Sequence, residues 1–342
     1  MDDGKRGTIA ICFVREALVE AAKRGGDMDA LLAAAEIPAS LLAAPQARVS
    51  PERYGALWHA IAQALDDEFF GMDARPMKYG SFTLLCHCVL HAGTLERALH
   101  RALRFMHLVL DEITGSLTVT GGAARVDLVE APGAPPRRMF AYATFLMMVH
   151  GLACWLVGRR IPLLAAEFRC PAPDHEDEYK VLFCAGVAFD RPATFVAFDA
   201  AYLARPIIRD EAAMKEFLRG APANFLVKYR HSDSLAARIR RRLRRHPPAE
   251  WPDFDTLALE FHAAPATLRR RLDEEGQTYR SLKDELRRDM AIDFLGRGGL
   301  AVSEVSSRLG FAEPSAFHRA FRKWTGCTPR EYRQTPEATS SP

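Results

Sequence analysis

Cationic side chains recur near the end of the chain, from Ser306 to Pro329, at spacings that suit contact with a polyanion. Gly310 interrupts a helical pattern, and Pro314 opens a second helix. In that second helix Arg319 and Arg322 fall on the side opposite to the aromatic residues. This layout is typical of a helix-turn-helix, whose second helix enters the DNA major groove, where arginine pairs with guanine.

A looser copy of this pattern lies upstream, from Ala258 to Leu272, and each copy is followed by a glycine, Gly276 or Gly326. Between the copies, apolar residues recur every four positions: Leu282, Leu286, Met290 and Phe294. This spacing predicts one amphipathic connecting helix of about 15 residues, which would rise about 22 Å. Thr278 or Ser281 is expected to cap its start.

The two second helices are predicted to bury one face and to present the other face to DNA. Leu268 and Leu272 face inward in the first copy, as do Phe317 and Phe321 in the second. The residues predicted to contact DNA are Ala266, Thr267, Arg269, Arg270, Ser315, Ala316, His318, Arg319 and Arg322. With the connecting helix between them, the two helices are expected to enter adjacent major grooves of promoter DNA.

The overall composition is that of a globular protein, and the charge is distributed unevenly. The chain has 342 residues, enough for about two domains, of which 49% are hydrophobic and 26% charged. Residues 238–333 hold 20 Lys and Arg against 14 Asp and Glu, a net charge of +6, whereas the whole chain carries +3. We therefore expect a polyanion-binding module joined to a body that does not bind polyanions.

The seven cysteines are odd in number and scattered, which is typical of reduced thiols in the cytosol rather than of a disulfide framework. The apolar run from Ile9 to Val14 is too short for a secretory signal. A longer run, Met139 to Gly158, has no charged residue and matches a membrane span in length. Its polar and small residues and the basic pairs at both ends favour a buried core helix, so no membrane association is predicted.

The rest of the chain shows mixed patterns before position 220 and helical patterns after Ser232. Residues 8–74 are predicted as helices, and Gly121-Gly122 as the turn of a hairpin between strands 116–120 and 123–129. Short strands are predicted near 164–170, 187–189 and 195–198, and a helix at 176–183. The predicted fold class is an α+β N-terminal domain, with helices around a small sheet, followed by an all-α C-terminal domain with two helix-turn-helix units.

Several constellations in the chain allow two interpretations. Cys86-His87-Cys88 with His91 could ligate a metal, but Cys86 and Cys88 would point to different faces of a helix, so no metal site is predicted. His150, in an apolar helix, fits either an effector contact or a satisfied core residue. The arginine run from 238 to 245 fits either contact with phosphates or a solvated helix face. The residues proposed to meet an effector are Tyr142, Phe145, His150 and Trp155.

The C-terminal motifs resemble those of the AraC/XylS family of bacterial transcription regulators. The stretches that carry the resemblance are Leu309–Phe311, Ser315–Gly326, Thr328–Arg333 and, upstream, Leu268–Gly276. The first domain resembles the OruR-like subgroup, whose regulatory domain is labelled "arabinose-binding". The stretches concerned are Tyr179–Cys184, Val187–Asp190, Phe198–Leu203 and Ala221–Val227. Many members of the family carry Ala where this chain has Ser306, whose hydroxyl is expected to bond back to a helix carbonyl.

The resemblance implies a one-component transcription regulator. Residues 1–220 would sense an unknown small-molecule effector and dimerise, 221–231 would be a linker, 232–335 would bind DNA, and 336–342 would be a disordered tail. The implied partners are promoter DNA, the effector, a second copy of the chain in a homodimer, and RNA polymerase. A cytoplasmic protein with no cofactor and no catalytic residues is expected. The alternative is a thiol-based redox sensor or enzyme fused to a DNA-binding domain, which would use Cys86, Cys88 or Cys154.

Overall fold

The computed structural model describes residues 7–184, 186–221 and 235–333. They form two compact units. One unit, called the helical unit below, comprises residues 7–11, 36–51 and 235–333; the other, called the sheet unit, comprises residues 12–35, 52–184 and 186–221. The predicted division at residue 220 differs from this arrangement because two N-terminal segments lie with the C-terminal helices. The predicted linker, beyond Ala221, and the predicted tail fall outside the described residues.

The described residues form helices and strands that are numbered in chain order. The helices are α1 (Ile11–Lys23), α2 (Met28–Ala34), α3 (Pro51–Leu65), α4 (Ser81–Leu90), α5 (Leu95–Val109), α6 (Met139–Leu156), α7 (Glu176–Leu182), α8 (Glu211–Gly220), α9 (Leu235–Leu243), α10 (Phe254–Glu260), α11 (Pro265–Glu274), α12 (Tyr279–Arg297), α13 (Val302–Arg308), α14 (Pro314–Thr325) and α15 (Pro329–Arg333). The strands are β1 (Ile9–Ala10), β2 (Arg48–Val49), β3 (Ile113–Thr120), β4 (Ala123–Glu130), β5 (Leu163–Glu167), β6 (Val187–Ala188) and β7 (Thr194–Asp199).

The sheet unit is built on a five-stranded sheet with the order β3-β4-β7-β5-β6. All neighbouring strands are antiparallel except β5 and β6. Gly121 and Gly122 form the β3–β4 turn with φ values of 59° and 82°, a left-handed conformation that a two-residue hairpin turn requires. The predicted hairpin is therefore confirmed, and α5 packs on β3 and on α6.

Helix α6 is the core helix of the sheet unit. Its length and apolar composition would suit a membrane span, but 94% of its 18 residues are buried inside the folded chain. A helix that is apolar all round belongs in the core of a protein or in a membrane, and here the surrounding helices and sheet supply the apolar environment. The prediction of a buried helix is confirmed.

His150 of α6 lines a small apolar cavity between α5, α6 and the sheet, together with Leu99, Leu146, Val196 and other apolar residues. The cavity volume is about 10 Å³, which is close to the minimum for one water molecule. The His150 Nε2 atom lies 3.0 Å from the carbonyl oxygen of Ile161, to which it donates its proton. Burial, with the nearby Arg160 cation adding to it, lowers the pKa of His150 to about 4.

The helical unit contains α9 to α15 and a short strand pair. In α9, Ala236, Ile239 and Leu243 are buried and form the face that packs into the core of this unit. Strands β1 and β2 pair antiparallel, Ile9 with Val49 and Ala10 with Arg48. The prediction of helices throughout residues 8–74 is wrong at these strands, because their pairing joins positions about forty residues apart, which local periodicity does not reveal.

Buried hydrogen bonds join this strand pair to the C-terminal helices. Thr8 Oγ1 donates to the Asp289 carboxylate of α12 at 2.7 Å and accepts from Arg48 Nε at 2.8 Å. Tyr332 of α15 donates from its hydroxyl to the carbonyl oxygen of Arg48 at 3.2 Å. Arg244 lies 3.9 Å from the other oxygen of Asp289. Residues 7–11 are thus part of the helical unit.

Ser306 of α13 has a fully buried hydroxyl with no hydrogen-bond partner. The expected bond back to a helix carbonyl is therefore absent. Ser307, one residue on, is exposed and donates to the carbonyl oxygen of Ser303 at 3.2 Å. A buried polar group without a partner costs about 1–3 kcal/mol.

We expect Ser306→Ala to raise the free energy of unfolding by about 1 kcal/mol, because the substitution removes the unpaired hydroxyl and leaves little extra space. Urea unfolding of the full chain measures this quantity. Ser307→Ala is the matched control and should change stability little, since its hydroxyl faces solvent. A loss of stability in Ser306→Ala would contradict the burial of an unpaired hydroxyl.

The lowered pKa of His150 predicts a pH-dependent stability. Between pH 6.5 and about 4 the unfolded chain binds a proton at this residue and the folded chain does not, so stability falls as the pH falls through that range. Since part of the residue remains exposed, we expect a loss of about 1–2 kcal/mol from His150. Urea unfolding at about pH 7.5 and about pH 5 should show a smaller difference in His150→Gln than in the natural chain. Equal differences would contradict the prediction.

Candidate functional site

The first helix-turn-helix consists of α10 and α11. The Asp253 side chain accepts from the Thr256 backbone amide at 2.8 Å and so caps α10, while Pro265 opens α11. Leu268 and Leu272 are each 1% exposed and join a core cluster with residues of α9, α10 and α12. His262 makes the turn with φ = 51°, the left-handed conformation that usually requires glycine.

The second helix-turn-helix consists of α13 and α14. Gly310 has φ = 75° at the position that corresponds to His262, so the two turns share a conformation despite different residues. Phe317 and Phe321 of α14 are fully buried, and their rings pack 5.7 Å apart. Tyr332 of α15 meets Phe321 edge-on at 5.6 Å and completes this aromatic core.

The predicted DNA-facing residues lie on the outer sides of α11 and α14. Seven are exposed: Ala266, Arg269, Arg270, Ser315, His318, Arg319 and Arg322. Thr267 and Ala316 are partly exposed. Arg271 and Lys323 are also exposed on these helices, and the prediction omitted both. Their basic side chains and their positions on the same two helices could have identified them as candidate DNA contacts.

Local contacts set the starting positions of some of these side chains. The Arg269 guanidinium lies over the Phe254 ring at 5.4 Å, and Arg270 lies 3.8 Å from Glu274. At the start of α14 the Ser315 hydroxyl donates to the Glu313 carboxylate at 3.2 Å. A carboxylate at this helix end opposes the binding of a phosphate there and can instead accept a hydrogen bond from cytosine.

Helix α12 joins the two motifs. It has 19 residues and rises about 28 Å, which is longer than the predicted 15 residues and 22 Å. Thr278 and Ser281 bond each other's backbone amides in a capping box, so both predicted caps act together. Along α12 the buried face moves from Leu282 and Leu286 to Ile292, because a spacing of four exceeds the 3.6 residues of one turn.

Arg287 of α12 fixes the turn of the second motif against the connecting helix. Its Nε atom donates to the carbonyl oxygen of Leu309 at 3.2 Å. Its guanidinium lies 5.3 Å from the Trp251 ring and 5.6 Å from the Phe311 ring. Burial among these groups lowers the pKa of Arg287.

The four residues predicted to meet an effector do not surround one cavity. Only His150 lines the cavity of about 10 Å³, which is far below the 300–1,000 Å³ typical of ligand pockets. Tyr142 donates to the Glu130 carboxylate at 2.9 Å and accepts from the Arg137 backbone amide. Phe145 is fully buried, and Trp155 stacks on Phe217 at 4.4 Å.

The thiols proposed for redox chemistry lie in different environments. Cys86 and Cys154 are buried, and burial raises the pKa of both, to about 11 for Cys154. A raised thiol pKa lowers the reactivity of cysteine at neutral pH. Cys88 is exposed, so Cys86 and Cys88 face different sides of α4, as predicted. Among the described residues, no three His, Cys, Asp or Glu side chains are grouped to hold a metal ion.

Comparisons with known proteins agree with this arrangement. Residues 25–207 match a family described as the arabinose-binding domain of AraC transcription regulators, at the N-terminus, and residues 257–335 match a helix-turn-helix domain. The ornithine utilization regulator of Pseudomonas aeruginosa is 28% identical over 329 residues, which cover 96% of this chain and 97% of the relative. The transcriptional regulator VirS of Mycobacterium tuberculosis is 28% identical over 316 residues, which cover 90% of this chain and 91% of the relative.

Among solved structures, the transcriptional regulator CdpR of Pseudomonas aeruginosa is 21% identical and covers 94% of this chain and 98% of its own. Its TM-score with this chain is 0.31. The family matches and the full-length relatives are all transcription regulators, and none of them supports the redox or enzyme alternative. The chain therefore belongs to the AraC family and is a helix-turn-helix transcription regulator with an N-terminal ligand-binding domain.

Proposed function

We propose that one chain reads two adjacent major grooves of promoter DNA with α11 and α14. The observation that carries this proposal is the matching exposure of the two helices. Each buries an apolar pair and turns its basic residues outward. Helix α14 packs on α12, and the buried leucines of α11 share a core cluster with residues of α12. A site read in this way needs no dyad symmetry, because the two motifs of one chain differ in sequence.

At the first groove Arg269 and Arg270 pair with guanine or neutralise phosphates, and Ala266 and Thr267 contact thymine methyl groups. At the second groove the contacts come from the exposed face of α14, formed by Ser315, Ala316, His318, Arg319 and Arg322. Arg269 must leave the Phe254 ring to reach a base. Among the described residues Arg319 has no such contact with an aromatic ring, so it can reach a base without this rearrangement.

We further propose that the chain acts in the cytoplasm by binding rather than by catalysis. It would form a homodimer on directly repeated half-sites and would contact RNA polymerase at the promoter. Support comes from the relatives that match nearly the whole chain, which are transcription regulators. The thiol arrangement adds to this support, because burial makes Cys86 and Cys154 poor nucleophiles.

The effector site is proposed to lie between α6 and the sheet, around His150. This region combines an apolar lining with one polar side chain, which is the composition of small-molecule sites. Because the cavity holds at most about one water molecule, an effector must separate α6 from β4 and β7 to enter. Once α6 has separated from the sheet, the effector is still predicted to contact Tyr142, Phe145 and Trp155.

To test DNA reading, we expect Arg269→Ala and Arg319→Ala each to weaken binding to the cognate promoter by about 1–3 kcal/mol, because each loses a base contact. Fluorescence anisotropy with cognate and scrambled DNA measures the affinity and the specificity ratio, and both should fall. Arg104→Ala, an exposed arginine of the sheet unit, is the control. Unchanged cognate affinity in both variants would show that these side chains do not reach bases.

To test effector sensing, we expect a thermal-shift screen of the full chain to find a ligand that raises Tm among amino acids, organic acids and fatty acids. Amino acids come first, since a relative along nearly the whole chain is named for ornithine utilization. The full chain is used because residues 7–11 and 36–51 belong to the helical unit.

His150→Leu should abolish the shift, because it removes the polar group of the proposed site. His100→Leu, an exposed histidine of α5, is the matched control and should keep the shift. If the ligand shifts Tm equally in His150→Leu and in the natural chain, the effector does not bind at His150.

A further inference from the structure

Four arginines of α9 and the turn after it line a shallow cleft beside the first helix-turn-helix. They are Arg238, Arg241, Arg242 and Arg245, and the cleft of about 210 Å³ is completed by Glu260 and Phe261. The four positions follow the spacing i, i+3, i+4 and i+7, which places them on one face of a helix. The opposite face carries Ala236, Ile239 and Leu243 and is buried in the core.

Two contacts hold this arginine face in place. The Arg242 Nε and Nη2 atoms donate to the two Glu260 oxygens at 2.8 and 2.7 Å. The Arg238 guanidinium lies over the Phe261 ring at 5.3 Å. Arg238, Arg241 and Arg245 are exposed to solvent, whereas Arg242 is partly buried.

The charges of the face are unbalanced. The described residues that line the cleft include four arginines and one acid, Glu260, which accepts two hydrogen bonds from Arg242, so their formal net charge is +3. Arg238 and Arg242, and likewise Arg241 and Arg245, stand four residues apart, where like charges destabilise a helix. A solvated face usually mixes charge signs at this spacing. A polyanion would relieve this repulsion.

The position of the cleft indicates which polyanion would bind the arginine face. Glu260 ends α10, and Phe261 begins the turn that leads into α11, so the cleft adjoins the motif that enters the first groove. From Arg238 to Arg245 a helix rises about 10 Å, which corresponds to about three phosphates along one DNA strand. We propose that the arginine face binds the DNA backbone beside the groove read by α11 and extends the contact beyond the two recognition helices.

This inference rests on DNA binding by the chain, and the test distinguishes a failure of the inference from a failure of DNA binding. The variant Arg238→Gln/Arg241→Gln/Arg245→Gln removes the exposed charges, and glutamine keeps a helix propensity close to that of arginine. The control Arg97→Gln/Arg104→Gln/Arg219→Gln removes the same charge from exposed positions of the sheet unit. Circular dichroism confirms that both variants fold. Affinity for cognate and scrambled DNA is then measured by anisotropy over a range of salt concentrations.

Each phosphate contact contributes about 0.9 to the slope of log affinity against log salt, so the arginine-face variant should lose about 2–3 from the slope. Its affinity should fall by the same factor for both DNA sequences, while the control keeps the natural slope. If the natural chain binds with a measurable slope and the arginine-face variant has the same slope, the proposal is wrong. The proposal is also wrong if the arginine-face variant keeps its DNA affinity and salt slope but loses transcription with RNA polymerase in vitro, since the face would then bind an acidic protein surface. If the natural chain bound cognate and scrambled DNA with equal affinity, sequence-specific DNA reading itself would be refuted.

Discussion

The packing of both helix-turn-helix motifs on α12 is the constraint on which DNA recognition depends. At its N-terminal part α12 contributes Tyr279, Leu282 and Leu286 to the core that holds Leu268 of the first recognition helix. Farther along, Arg287 holds the turn of the second motif through the Leu309 carbonyl. A helix bonds its own backbone at every turn, so its length changes little under load. The separation of the two recognition helices is therefore set by α12 and not by a flexible linker.

The same helix carries the attachment of the N-terminal strands. Asp289 is 8% exposed and bonds Thr8, and Tyr332 bonds the carbonyl oxygen of Arg48. A Cβ atom at Gly326, which ends α14, would lie 2.6 Å from the Cβ atom of Ala44, so the segment of residues 36–51 packs closely on the end of the second recognition helix. Because β1 runs directly into α1, and α3 begins two residues after β2, the chain continues from each of these strands into the sheet unit.

The sequence was sufficient for the features that depend on local pattern. The two motifs, the inward positions of Leu268 and Phe317, and the hairpin at Gly121 and Gly122 all follow from spacing and turn chemistry. The strand pair and its bond to Asp289 were missed, because they join residues that are far apart in the chain. The left-handed turn at His262 was not predicted for a different reason, because glycine is the residue that usually indicates this conformation.

The effector site was the least predictable part, because residue types do not determine the volume between packed elements. Apolar composition indicated a sensor core around His150, and the structure places that residue in a nearly filled interior. The effector site proposed around His150 would have to open to bind, which would couple ligand binding to movement of α6, the type of change that a regulator requires. Residue identity alone does not reveal how little space this interior leaves.

Hydroxyl-radical footprinting of the full chain on its promoter can show whether α12 holds two recognition helices in two adjacent grooves. We expect two protected stretches on one face of the DNA, separated by about one helical turn of 10 base pairs, for each bound chain. A single contiguous stretch within one major groove would contradict it.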